Sequence, residues 1–86
     1  MRYLVESPHT REECLKELDE LAGKGEKELQ RFGFACTSGE HTGYAVVDAP
    51  DEKAARELVP AIVRGKAKIH PLQTFTAEQV RSFHSQ

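Results

Sequence analysis

The chain has 86 residues, enough for one domain and too few for two. With 38% hydrophobic and 30% charged residues it reads as an ordinary globular sequence, and a net charge of −2 argues against a general nucleic-acid binder, which needs a basic face. No apolar run approaches the ~18 residues of a membrane helix, and the N-terminus lacks the long apolar stretch of an export signal.

Arg2 to Ser7 is rich in β-formers and stops at Pro8, which predicts a first strand. Thr10-Arg11-Glu12-Glu13 has the spacing of a capping box and opens a helix to about Gly23. Its apolar stripe is Cys14, Leu15, Leu18, Leu21 and Ala22, which makes Cys14 a small buried hydrophobe. Gly23-Lys24-Gly25 ends the helix, and Glu26 to Gln30 fits neither helix nor strand clearly.

Phe32–Thr37 and His41–Ala49 are expected as a hairpin around Ser38-Gly39-Glu40. A two-residue Gly39-Glu40 turn pairs Cys36 with Gly43, Phe34 with Ala45 and Phe32 with Val47, large opposite small. Pro50-Asp51 opens a second helix with the stripe Ala54, Ala55, Leu58, Val59, Ile62 and Val63, kinked at Pro60 and closed by Gly65. Ala67 to Thr74 gives a fourth strand. Thr76 and Gln79 form a second capping box for a short last helix ending near His84, with Phe75 and Val80 placed as a staple.

The order β-α-β-β-α-β-α matches the split βαβ, ferredoxin-like plan with an additional C-terminal helix. That plan puts an antiparallel sheet in the order 4-1-3-2 beneath its helices. Its bare face carries Tyr44 and Val46, too apolar to face water comfortably, and predicts a homodimeric α+β barrel packed sheet to sheet. The last helix is then free to clasp the partner or cover a sheet edge.

Pro8-His9-Thr10 leading into Glu13-Cys14-Leu15, Gly39 to Ala45, Leu58-Val59-Pro60, and Phe75-Thr76 with Ser82-Phe83-His84 resemble a group of small bacterial and archaeal proteins of unassigned function. The resemblance spans nearly the whole chain and implies the dimeric α+β barrel type of ferredoxin-like fold. A looser similarity runs to small nickel-binding proteins and muconolactone-isomerase-like barrels. The fold hosts unrelated chemistries, so the resemblance names no activity.

The two cysteines, Cys14 and Cys36, are too few for a disulfide framework, so both are expected as free thiols in a cytoplasmic protein. The topology gathers His9, Cys36 and His41 at one end of the sheet. One thiolate and two imidazoles suit zinc, nickel or copper, with water or a partner-chain group completing the shell and Glu40 as an additional oxygen donor. The plain alternative is that His9 packs over Cys14 as a staple, His41 merely starts a strand and Cys36 fills the core. An organic ligand in place of a metal would meet His9, His41, Tyr3, Tyr44 and His70. His70 shares its strand parity with Lys66 and Lys68 and, with Arg64, makes a small basic stripe suited to a solvated face or an anion. His84 is expected at the surface.

Two functions follow. One is a small dimeric binding protein for a transition metal or small ligand. The other is a cofactor-independent enzyme using histidine acid–base chemistry on a small polar substrate. Imidazole, with an intrinsic pKa of ~6.5, serves either.

Overall fold

The computed structural model describes residues 1–85. Strand β1 (Arg2–Pro8) alternates strictly: Tyr3, Val5 and Ser7 are buried, while Leu4, Glu6 and Pro8 lie on the other face. This is the period-two signature of a sheet covered on one side. Helix α1 (Arg11–Lys24) starts at the expected capping box, where the Thr10 hydroxyl accepts from the Glu13 N–H and the Glu13 carboxylate accepts from the Thr10 N–H. The short helix α2 (Glu26–Arg31) occupies the stretch that the sequence left open.

Strand β2 (Gly33–Phe34) is brief, and β3 (Thr42–Asp48) pairs with both β2 and β1. Helix α3 (Glu52–Glu57) is capped by the Asp51 carboxylate, and β4 (Lys68–Pro71) pairs with β1. The result is α+β: a four-stranded antiparallel sheet in the order β2-β3-β1-β4, with α1 and α3 over the face that carries Val5 and Ala45. The core is small and partly alanine: Tyr3, Val5, Leu21, Phe32, Ala45, Val47, Ala49, Ala55, Val59, Val63 and Ala67. A fully buried Val or Leu contributes about 1.5–3 kcal/mol and an alanine much less, so this core leaves room for a further staple.

Several expectations are corrected. The hairpin has no two-residue turn. Phe34 pairs with Gly43 and Gly33 with Tyr44, two residues away from the expected register. The reason is steric: a Cβ on residue 43 would lie 2.7 Å from Phe34 Cε1, so the ring seats on a glycine. A slip of two preserves the face of every side chain, which is why the buried set survives the wrong register. The extra loop residues form a 3-10 turn, Cys36–Ser38, ending on Gly39 with φ 95°, a left-handed conformation that favours glycine.

Helix α3 stops at Glu57, well short of Gly65, because Pro60 has no N–H to continue the ladder and disfavours helical geometry at Val59. The Leu58 and Val59 amides instead close short turns onto Ala55 and Arg56, and a second 3-10 turn, Arg64–Lys66, leads into β4. On α1, Leu15 and Ala22 are exposed, whereas Glu17 and Leu21 are buried. The inward face is thus rotated from the apolar stripe, and it carries a carboxylate.

Helix α4 (Ala77–His84) has its expected capping box, Thr76 with Gln79, but stands clear of the body. All its residues are exposed, and Phe75 packs edge-on against Phe83 with centroids 5.5 Å apart. The chain therefore spans 50 × 28 × 22 Å with a radius of gyration of 15.6 Å, against the ~12 Å of a compact domain this long.

Candidate metal centre

The β1–β3 ladder runs one step beyond its last paired residues: the His9 N–H donates to the His41 carbonyl at 3.1 Å. His9 keeps the inward parity of Tyr3, Val5 and Ser7, so its imidazole enters beneath α1, where it is 7% exposed. The capping box then turns the chain immediately after His9. Cys14 falls on the fourth helical position and Glu17 three residues later, both on the face toward the sheet.

The loop between β2 and β3 supplies the remaining groups. The Ala35 N–H donates to the Thr42 carbonyl at 3.0 Å and closes the loop base. The 3-10 turn above it brings Cys36 Sγ to 3.2 Å from His9 Nε2 and 3.4 Å from Cys14 Sγ. The His41 ring lies 5.8 Å from that of His9, centroid to centroid, at a steep 67°. One donor atom from each of His9, Cys14, Cys36 and His41 falls within 4.8 Å of all the others. The two cysteines and His41 are half-buried, and His41 Nδ1 is buried with no hydrogen-bond partner.

Behind His9 lies a buried carboxylate. Glu17 has no exposed surface, and its Oε1 lies 2.8 Å from His9 Nδ1, close but not well aligned as a hydrogen bond. Its Oε2 accepts from the Ser7 hydroxyl at 2.8 Å, and Ser7 is equally buried. Burial pushes the Glu17 carboxyl above its ordinary range, against the opposing pull of Ser7 and His9. Burial also pushes the Cys36 thiol up, assisted by its contact with Cys14. Any cation entering must displace the thiol protons.

The three residues expected at the sheet end, His9, Cys36 and His41, are therefore brought together, and Cys14 joins them. Cys14 is thus half-buried beside Cys36, which corrects its reading as a buried core hydrophobe. Glu17 is not marked by apolar periodicity, which is blind to a buried acid. Its one available signal was its spacing, three residues after Cys14 and four before Leu21.

The wider ligand set does not converge. Tyr3 is a core residue, 5% exposed, packed among Val5 and its neighbours. Tyr44 lies on the opposite face, where its hydroxyl donates to Glu40 at 2.9 Å. That bond, with some burial, pushes the phenol up. His70 Nε2 lies 2.6 Å from Glu6 Oε2 on the same face. A hollow of about 140 Å³ there is lined by Glu6, Pro8, Glu40, Thr42, Tyr44 and Lys68, and neither His9 nor His41 lines it. Glu40 is thus engaged away from the cysteines. The basic stripe is also dissolved. Lys66 sits in the 3-10 turn and pairs with Glu13, and Arg64 donates to the carbonyls of Val59 and Glu57. His84 is exposed, as expected.

Among the described residues no helix is long and apolar enough to cross a membrane. Comparison with protein-family models, curated proteins and solved structures gave no match to this chain.

Proposed function

We propose that this protein binds one transition-metal ion, zinc in the first place, through His9, Cys14, Cys36 and His41. The observation that carries the reading is the convergence of two sulfurs and two imidazole nitrogens within 4.8 Å. Two sulfurs held at ~2.3 Å from a tetrahedral zinc lie about 3.8 Å apart, so the 3.4 Å between Cys14 and Cys36 needs only a small expansion. Soft thiolates with imidazoles in a tetrahedral array suit zinc, and nickel and copper are its competitors for the same donors.

Glu17 supports the same reading. The Glu17 carboxyl lies at His9 Nδ1, on the side of the ring away from Cys36, and so favours Nε2 as the ligating nitrogen. Such outer partners orient and strengthen metal-binding histidines. Four protein ligands leave no open position for substrate, which is the pattern of a structural or storage site rather than a hydrolytic one. The ion would tie the end of β1, the start of α1 and the β2–β3 loop together, where the hydrophobic core is thin.

The sheet order and the helices on one face support a ferredoxin-like assignment. The exposed Val46 beside Tyr44 and the exposed Phe75, Val80 and Phe83 support a homodimer that packs sheet to sheet with α4 as a clasp. A reducing compartment such as the cytoplasm would keep the thiols available.

Cobalt(II) titration of tag-free protein tests the metal reading. The expected result is saturation at one ion per chain, with the visible bands of a tetrahedral site and thiolate-to-cobalt charge transfer. Weak octahedral spectra, indistinguishable from cobalt in buffer, would overturn it.

A further inference from the structure

The only two sulfhydryls in the sequence are neighbours. Cys14 Sγ and Cys36 Sγ lie 3.4 Å apart, between the ~3.8 Å of a shared zinc and the ~2.05 Å of a disulfide. One is carried by α1 and the other by a 3-10 turn in a loop, so neither sulfur is carried by a strand of the sheet. Both residues are half-buried, which leaves a small oxidant a path to them.

We propose that Cys14 and Cys36 form a thiol–disulfide switch that governs occupancy of the metal centre. This rests on the metal reading above and adds its regulation. The oxidant is hydrogen peroxide. One thiolate attacks a peroxide oxygen, the O–O bond breaks, and a sulfenic acid and hydroxide result. The second thiolate then attacks that sulfur, the S–O bond breaks, and a second hydroxide leaves as the S–S bond forms. Two sulfurs each lose one electron, the peroxide gains two, and two protons from solvent turn both hydroxides into water. The disulfide has no thiolate to offer, so the ion keeps only His9 and His41 and dissociates. A thiol reductant reverses the step. Disulfides in reducing compartments are typically transient and of this sensing kind. The chain has no third cysteine to divert the reaction.

The test treats zinc-loaded full-length protein with equimolar hydrogen peroxide in the presence of a chromogenic zinc chelator. Thiol titration and intact-mass measurement run alongside. The expected result is release of one zinc per chain in step with loss of both thiols. The chain stays monomeric under denaturing conditions and lighter by two hydrogens, and added reductant restores both thiols and zinc binding. Addition of oxygen to the sulfurs, a disulfide between chains, or a closed disulfide with zinc retained would overturn the switch. The same oxidation of metal-free protein separates the two claims. An internal disulfide in a chain that never binds zinc contradicts the metal reading and, with it, the switch's control of occupancy. Zinc binding without disulfide closure contradicts the switch alone.

Discussion

His9, one residue past the end of β1, and Glu17 of α1 meet in the interior, Nδ1 to Oε1 at 2.8 Å. The carboxylate sits at Nδ1, and Nε2 is the nitrogen that faces Cys36. Replacing the carboxylate while keeping its shape, Glu17→Gln, is expected to weaken zinc binding by about 10–100-fold, the usual cost of losing an outer partner of a ligating histidine. Competition with a calibrated chelator measures it, and unchanged affinity would remove Glu17 from the site.

The same substitution has a stability signature of its own. The folded-state pKa of Glu17 is raised above 4.5, so folding takes up a proton there. The burial penalty is absent below the unfolded value and grows as pH rises through the folded one. Metal-free wild type should therefore gain stability relative to E17Q on acidification from neutral pH towards 4.5. Urea unfolding of the two metal-free chains across that range checks the sign.

A surface acid has the opposite sense. Lys66, with the Thr10 N–H, holds the Glu13 carboxyl at about 2, below its ordinary 4.5. Its contribution is fully present above 4.5 and is lost as pH falls towards 2. The stability gap between wild type and E13Q should close over that window. Removing the reciprocal half of the capping box, Thr10→Ala, is expected to cost about 1 kcal/mol at neutral pH.

Gly43 carries the β2–β3 register. A methyl group there meets Phe34 Cε1 at 2.7 Å, so G43A should destabilise by about 1–3 kcal/mol, as overpacking does. The loop bearing Cys36 should be displaced and zinc affinity should drop with it. A double-mutant cycle with F34A checks the cause: the two losses should be markedly less than additive.

The bare sheet face makes a separate claim. Light scattering should give twice the 9.6 kDa of one chain, and Val46→Asp should return the mass to that of a monomer. A wild-type mass of one chain at micromolar concentration would contradict the dimer, since standard stable interfaces persist there.

The sequence made the strand order and most of the core legible because strand alternation, capping boxes and Pro8 are local signals. The hairpin register was not legible. Phe34 opposite Ala45 and Phe34 opposite Gly43 both pair large with small, and only the packing of the ring on Gly43 discriminates. Helix α3 is shorter than its apolar stripe predicts because Leu58, Val59 and Val63 keep helical spacing while Pro60 breaks the backbone beneath them. His9, Cys36 and His41 followed from topology, since antiparallel neighbours bring their ends together whatever the loop does. Cys14 was hidden by its own type, because a cysteine on a helix stripe reads as a small apolar residue. Glu17 was hidden because its burial depends on Ser7 and His9, which only the fold brings beside it.

X-ray absorption at the zinc edge, on tag-free protein loaded with one equivalent of zinc, tests the central claim most directly. The account predicts a four-coordinate ion with two sulfurs at ~2.3 Å and two imidazole nitrogens at ~2.0–2.1 Å. One sulfur should be lost in C14S, and H9A should not retain stoichiometric zinc. A wild-type spectrum with only nitrogen and oxygen neighbours, or a chain that returns from dialysis without zinc, would contradict it.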